Sequence, residues 1–300
     1  PQQYLSNLIG HEGEGSLHHA LNIRGWIEGL GAGSQDLDRN NSLLTVNIEL
    51  TEAGRSHVNE ITDLLFQYFE MLRAQPPQDW LYQEQAKVAE LSFRFQEKGS
   101  TAGFVYQMAP SLDLYPAEDL LVAPYLMEAF DPALIENFLG YLRPDNVLLE
   151  VTAPDSVTDQ VEPWFEVPFT LNQAPLPRQA VSNATLRLPD VNPYLPEKLE
   201  LVAADERIMR RMIDQPELEL WLDTDVEFGT PRANMTVGFL TPNGLLGAAD
   251  RAQAQLYQRL VNDALSATIY PAYLAGLGYS IDVADSGFAI SVNGYQDKQM

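Results

Sequence analysis

The sequence contains no cysteine. Disulfide scaffolds, thiol catalysis and Cys-zinc sites are therefore excluded. Basic residues are also scarce, with 18 Lys and Arg against 42 Asp and Glu and a net charge of −24. A surface this acidic repels phosphate backbones, so nucleic acid is not expected as a partner. The same charge suits basic peptides; the plainer reading is solubility alone. No stretch approaches the ~20 unbroken apolar residues of a membrane span, and no membrane partner is expected. The N-terminus lacks a basic-then-apolar signal pattern. It opens at Pro1 rather than Met, so the chain is expected to be a piece of something longer. The expected setting is soluble, either periplasmic or cytoplasmic, because absence of cysteine fits both.

Histidine is nearly as rare: His11, His18, His19 and His57. A helical zinc site wants two His on one face at H-E-x-x-H or H-x-x-E-H spacing. His11-Glu12 opens like the first, but position 15 is Gly. His18 and His19 are adjacent, about 100° apart on a helix, and chelate one metal poorly. No metal ligands are therefore expected in this chain. No G-x-S-x-G elbow exists: Ser16 is flanked by Glu14 and His18, and Ser280 by Gly278 and Asp282. Gly29, Gly31 and Gly33 have G-x-G spacing without G-x-G-x-x-G, so nucleotide binding is unsupported. Acid pairs such as Asp36/Asp38 and Asp223/Asp225 are frequent among 42 carboxylates and read as solvated loop. No catalytic residue is expected.

What is present is a chain able to fold. Its 300 residues, 45% hydrophobic and 10% aromatic, can bury a sizeable core, and that length suggests about two domains. Residues 1–9 are short and mildly apolar. A helix is expected from Ser16, burying Leu17, Ala20, Leu21 and Ile23 and stopping at Gly25. Trp26 to Leu30 reads as a strand running into Gly31-Ala32-Gly33, and 34–41 as a polar loop. Leu44, Val46, Ile48 and Leu50 alternate as in a half-buried strand. Thr51 is a credible cap for a helix whose face is Val58, Ile61, Leu65, Tyr68 and Leu72. Pro76-Pro77 ends it, and Leu81, Val88, Leu91 and Phe95 continue a second helix.

Shorter helices are expected over 101–112 and 117–140, and a strand over Asn146 to Val151. Residues 153–196 hold eight of the twenty prolines and read as an extended connector. Strands follow at Glu219 to Leu222 and Met235 to Leu240, then a helix from Ala248 to about Leu274, interrupted at Pro271. Tyr279 to Val283 and Phe288 to Tyr295 read as a hairpin turning at Asp285-Ser286-Gly287. Strand-then-helix occurs twice, which suggests two similar α+β modules with mainly antiparallel sheets and helices on one face. The one positive functional signal is the strand entering Gly31-Ala32-Gly33. Such an edge can accept an extended peptide by strand addition; a tight turn is the plainer reading.

Specific runs then resemble a known family. They are Tyr4-Leu5-Ser6-Asn7-Leu8-Ile9-Gly10-His11-Glu12-Gly13-Glu14-Gly15-Ser16-Leu17, Gly25-Trp26-Ile27 with Leu30, and Asn47-Ile48-Glu49-Leu50-Thr51. Further on come Phe66-Gln67-Tyr68, Leu72-Arg73-Ala74, Phe93-Arg94-Phe95 and Leu142-Arg143-Pro144-Asp145-Asn146-Val147. Glu162-Pro163-Trp164-Phe165, Leu274-Ala275-Gly276-Leu277 and Gly294-Tyr295-Gln296-Asp297-Lys298-Gln299 complete the series. In order and spacing this resembles the non-catalytic second module and the start of the third in the pitrilysin (insulinase) family of zinc metallopeptidases.

The resemblance implies four homologous α+β modules that enclose a peptide, with zinc held in the first. It implies that residues 1–152 are an inactive second module lacking its N-terminal part, 153–214 a connector, and 215–300 the first part of a third module. The H-x-x-E-H zinc motif is absent from this sequence, so the zinc is expected in the parent and the piece alone is expected to be inactive. The family anchors a substrate's N-terminal segment on a second-module strand; the matching positions are Leu30, Gly31, Ala32, Gly33 and Ser34, with His11 and Glu12 nearby. Expected partners are a peptide substrate, the remaining modules of the parent, and a second copy through exposed sheet edges. A purely structural scaffold with no ligand of its own is the competing reading.

Overall fold

The computed structural model describes residues 1–38, 41–96, 99–127, 129–173, 175–176, 185–201, 206–224, 226–227, 229–241 and 247–299. In chain order the elements are helices α1 (Gln2–Ile9) and α2 (Leu17–Asn22), strands β1 (Ile27–Asp36) and β2 (Ser42–Leu50), and helices α3 (Val58–Arg73), α4 (Asp79–Arg94), α5 (Thr101–Met108) and α6 (Pro132–Leu139). Then come the two-residue strands β3 (Gln160–Val161) and β4 (Pro168–Phe169), strands β5 (Ile208–Gln215), β6 (Leu218–Thr224) and β7 (Arg232–Leu240), helix α7 (Ala248–Leu274), and strands β8 (Gly278–Ala284) and β9 (Gly287–Tyr295). All strand pairs are antiparallel, and the fold is α+β. No helix among the described residues is long and apolar enough to cross a membrane.

Contacts group the chain into two compact units, 1–78 with 131–189, and 79–130 with 190–300. Each combines two separated stretches, a division of a different kind from the consecutive lobes read in the sequence.

The first unit has its core where the apolar periodicity is tightest. Residues 1–9, read only as mildly apolar, form α1 and bury Tyr4, Leu5, Leu8 and Ile9 on one face. In α2 the Ser16 hydroxyl accepts the His19 N–H at 3.0 Å, satisfying a first-turn donor. Leu17, Ala20 and Leu21 are buried there as expected. Ile23 is not; it is 69% exposed, because the helix ends at Asn22 and Gly25, at φ 68, turns the chain into β1. Thr51 does not cap α3, which starts after His57 with no side-chain cap; its hydroxyl instead accepts the Gly54 N–H at 2.9 Å, at the start of a 3-10 turn, Gly54–His57, that feeds α3. Helix α3 buries Ile61, Leu64, Tyr68 and Leu72, and the Tyr68 hydroxyl donates to the Leu8 carbonyl at 2.8 Å. Each fully buried Leu contributes about 1.5–3 kcal/mol relative to exposure, so this helix face anchors the unit.

Strand β1 runs through the glycines to Asp36, so the expected loop over 34–41 begins later. Its register with β2 shifts between Ile27 and Gly29, leaving Glu28 as one extra residue, a bulge. The bulge inverts the alternation, which is why Ile27 and Leu30, three residues apart, are both buried. Helix α6 packs against α1 and α3. The strand expected over Asn146 to Val151 is absent: these residues are extended without a ladder partner and Leu148 is 79% exposed. β-branched composition favours a strand only where a neighbouring edge is available. Between 153 and 196 the described residues form no helix.

In the second unit α4 buries Leu81, Tyr82 and Leu91. Leu91 and Phe95 form a cluster with Tyr295, and Leu199 packs on it. The expected helix over 117–140 is replaced by a 3-10 turn at Ala123–Tyr125 and by α6, which belongs to the first unit; proline occupies the first turn of both. Strand β5 lies within the stretch read as connector and pairs with β6. The three-stranded sheet has order β7-β9-β8, with the β8–β9 hairpin where it was expected. Helix α7 continues through Pro271 rather than breaking there. Proline removes one N–H bond, and only one turn of helix remains after it. Asp297 accepts the backbone N–H groups of Glu197 and Lys198 at 2.8 and 3.1 Å, fastening 197–198 near the end of β9.

Candidate functional site

The expected peptide edge is Leu30 to Ser34 in β1. Among the described residues β1 pairs with β2 and with no other strand, so its other edge has backbone groups free for a further chain. The two faces of the strand differ. Leu30 is buried and Ala32 half-buried on the side where α1 and α2 pack. Gly31 and Gly33 are exposed, and a Cβ at either would meet nothing within 4 Å. Ser34 is exposed.

Gly10, at the end of α1, brings the His11-Glu12 segment to this strand. A Cβ on Gly10 would lie 3.3 Å from the Ala32 backbone nitrogen, 3.7 Å from the Ala32 Cβ and 3.1 Å from the Ser6 carbonyl oxygen. A side chain there would have to displace these neighbours by a few tenths of an ångström, so glycine eases the close approach of helix end and strand. Gly10 was not among the expected site residues; its place at a helix end just before His11-Glu12 was the available signal.

The loop after Gly10 is built on two histidine rings. His11 is 6% exposed, and its Nδ1 accepts the Gly13 backbone N–H at 3.0 Å. The ring lies where a Gly13 Cβ would be, 2.6 Å from the His11 Cε1. Burial pushes the His11 imidazole down to about 4, so it is neutral near pH 7 and able to accept. His18 is 8% exposed on α2. Its Nδ1 is buried without a hydrogen-bond partner. Burial lowers the His18 pKa, assisted by His19 and opposed by the Glu12 charge and backbone. Arg187 closes the far side, its N–H donating to the Gly15 carbonyl at 3.0 Å and its guanidinium 3.7 Å from Glu14.

The structure thus sets the Gly10–Glu12 segment beside Ala32. His11 itself is buried as part of the loop's interior, whereas Glu12 is half-buried. No group of three or more His, Cys, Asp or Glu among the described residues is placed to hold a metal ion. His57 stacks on Trp26 with ring centroids 4.4 Å apart and its Nδ1 lies 3.1 Å from Glu60.

Residues 1–88 match the family described as the peptidase M16 inactive domain, and residues 93–300 that described as the middle or third domain of peptidase M16. The chain belongs to the M16 peptidase family. It is 34% identical over 311 aligned positions to insulin-degrading enzyme of Homo sapiens, covering 100% of this chain and 30% of that protein. Insulin-degrading enzyme-like 1, peroxisomal, of Arabidopsis thaliana is 32% identical, covering 99% and 32%. The A-factor-processing enzyme of Saccharomyces cerevisiae is 30% identical, covering 99% and 30%. The chain therefore spans about a third of the length of these relatives. A crystal structure of pitrilysin superposes with a TM-score of 0.76 at 21% identity, covering 98% of this chain and 32% of that one; this likeness establishes the fold.

Proposed function

We propose that this chain is the non-catalytic, substrate-holding segment of a zinc metalloendopeptidase of the M16 family that degrades or processes peptides. An extended peptide adds to the open edge of β1 along Leu30 to Ser34, with Glu12 beside it. Zinc and the bond-breaking groups would be supplied by other modules of the parent protease. The observation that carries the reading is the one-sided pairing of β1 at a stretch where Gly31 and Gly33 leave the strand face clear. Relatives that include insulin-degrading enzyme support a peptide as the ligand class.

Main-chain pairing holds a peptide with little regard to its side chains, which suits an enzyme acting on varied sequences. The negative charge favours basic or N-terminally charged peptides, and added salt weakens that preference. This segment alone bears the whole ordering cost of the peptide, so its affinity is weak, on the order of 0.1–1 mM. Titration of the isotope-labelled chain with an unstructured basic peptide tests this. Backbone amides of 26–34 are expected to shift; silence there at millimolar peptide leaves the scaffold reading standing.

A further inference from the structure

We propose that His11 and His18 are positioning residues for peptide capture: as neutral rings they fix the Glu12 segment beside the open edge of β1, and as charged rings they release it. The inference rests on the capture reading above. Its geometry does not.

Backbone bonds fasten the segment at both ends, His11 N–H to the Leu8 carbonyl at 3.4 Å and Ser16 N–H to the Gly13 carbonyl at 3.1 Å, and imidazole completes it. His11 Nδ1 is an acceptor, taking the Gly13 N–H at 3.0 Å. A proton on Nδ1 turns that acceptor into a donor facing another donor. The bond is then lost, and a cation is left in a ring that is only 6% exposed. The His18 ring is 8% exposed, and its Nδ1 is buried without a hydrogen-bond partner. A proton there would bury a donor with nothing among the described residues to accept it. Each ring is thus fitted to its neutral form; Glu12 follows one directly and its charge acts on the other.

The charged and titratable groups around the pair come from every element that packs on the loop. Glu12 and Glu14 lie on the loop, His19 on α2, and Arg187 reaches in over Gly15 and pairs with Glu14. On the neighbouring helices, Tyr4 of α1 bonds the Gln78 N–H and Tyr68 of α3 the Leu8 carbonyl; burial raises both phenols, so neither titrates at acid pH. Of these, Glu12 is the group that would favour a charged His18. Its attraction is outweighed by burial, the larger cause of the shift. Gly10 couples the loop to the site, because a Cβ on it would lie 3.3 Å from the Ala32 backbone nitrogen. Loosening the turn at Gly13 therefore frees the segment that borders the peptide edge.

The test pairs variants that keep a neutral polar group at each position with one that does not. In His11→Asn the side-chain Oδ1 takes the place of Nδ1 as acceptor for the Gly13 N–H. In His18→Gln a neutral amide of similar reach takes the place of the ring. Neither replacement titrates. His11→Leu fills similar volume without an acceptor. The full chain of each is followed by amide and imidazole resonances from about pH 7 to about pH 4, with and without an unstructured basic peptide.

In the native chain the Glu12 and Gly13 amides should move in an acid transition well below the ordinary histidine pKa. Peptide affinity should fall about tenfold or more across the same transition. The double variant His11→Asn/His18→Gln should lose the acid transition of the Glu12 and Gly13 amides, whatever affinity it shows at neutral pH. His11→Leu should lose affinity at neutral pH, with the amides of 58–72 unchanged as a check on folding. The proposal is overturned if the double variant keeps the native acid transition, or if the native loop amides do not move as the rings titrate. Absence of any peptide response at neutral pH sinks the capture reading instead, and the loop amides still decide the role of the two rings.

Discussion

Two stretches of this chain share one design, a strand followed by a long helix, and end in different states. In the first unit β2 leads into α3, whose face of Ile61, Leu64, Tyr68 and Leu72 is buried where α2 and α6 pack, with Tyr68 bonded to Leu8 of α1. In the second unit β7 precedes α7, a helix of 27 residues with none buried among those described. On β7, Met235, Val237 and Phe239 alternate as one face of a sheet and are 51%, 41% and 45% exposed. Periodicity states which face a segment offers. It does not state whether the same chain supplies the cover. The site follows that difference, because a peptide edge must be held still by something, and among the described residues β1 has the buried faces of α1 and α2 packed on it.

Core truncation should separate the two regions most sharply. Leu8→Ala removes a fully buried side chain and is expected to cost about 2–5 kcal/mol. Leu260→Ala, at a position 58% exposed, is expected to fall within about 0.5 kcal/mol. Urea unfolding followed by resonances of each unit measures both, and equal costs would break the comparison.

Acid is expected to act on the first unit through His11. Its folded pKa of about 4 lies below the ordinary 6.5. Above 6.5 neither folded nor unfolded chain binds the proton, and nothing is lost. As pH falls from 6.5 toward 4 the unfolded chain gains a proton that the folded chain refuses, so stability drops, by about 3 kcal/mol at the limit. The His11→Asn variant should remove this slope, measured by unfolding at stepped pH. Tyr68→Phe comes next. It strips the donor from the buried Leu8 carbonyl and should cost about 1–3 kcal/mol. Ser16→Ala deletes the cap of α2 and should cost about 1 kcal/mol.

Much of this was legible in the sequence where periodicity had room to repeat. Strand β2, helices α3 and α7 and the β8–β9 hairpin were read directly. Helix α1 was missed, since eight residues carry barely two turns of pattern. The run Asn146 to Val151 has the composition of a strand, but pairing is a property of neighbours rather than of the run itself. Strand β5 was hidden because Ile208-Met209-Arg210-Arg211-Met212-Ile213 does not alternate cleanly and a bulge at Met212 shifts its register. At the site, the glycines of β1 were visible as a reduction of side chain. The inward turn of His11 was not, because it depends on an imidazole reaching the N–H two residues ahead.

Gly31 and Gly33 give the most direct test of the central claim. A Cβ at either meets nothing within 4 Å, so Gly31→Val and Gly33→Val should leave the fold intact while crowding an incoming strand. Binding of an unstructured basic peptide, read from the amides of 26–34 in the native chain and in the paired variant, is the measurement. The account predicts saturable shifts in the native chain and their loss in the variant, with unfolding unchanged. Shifts of equal size and midpoint in both would contradict it.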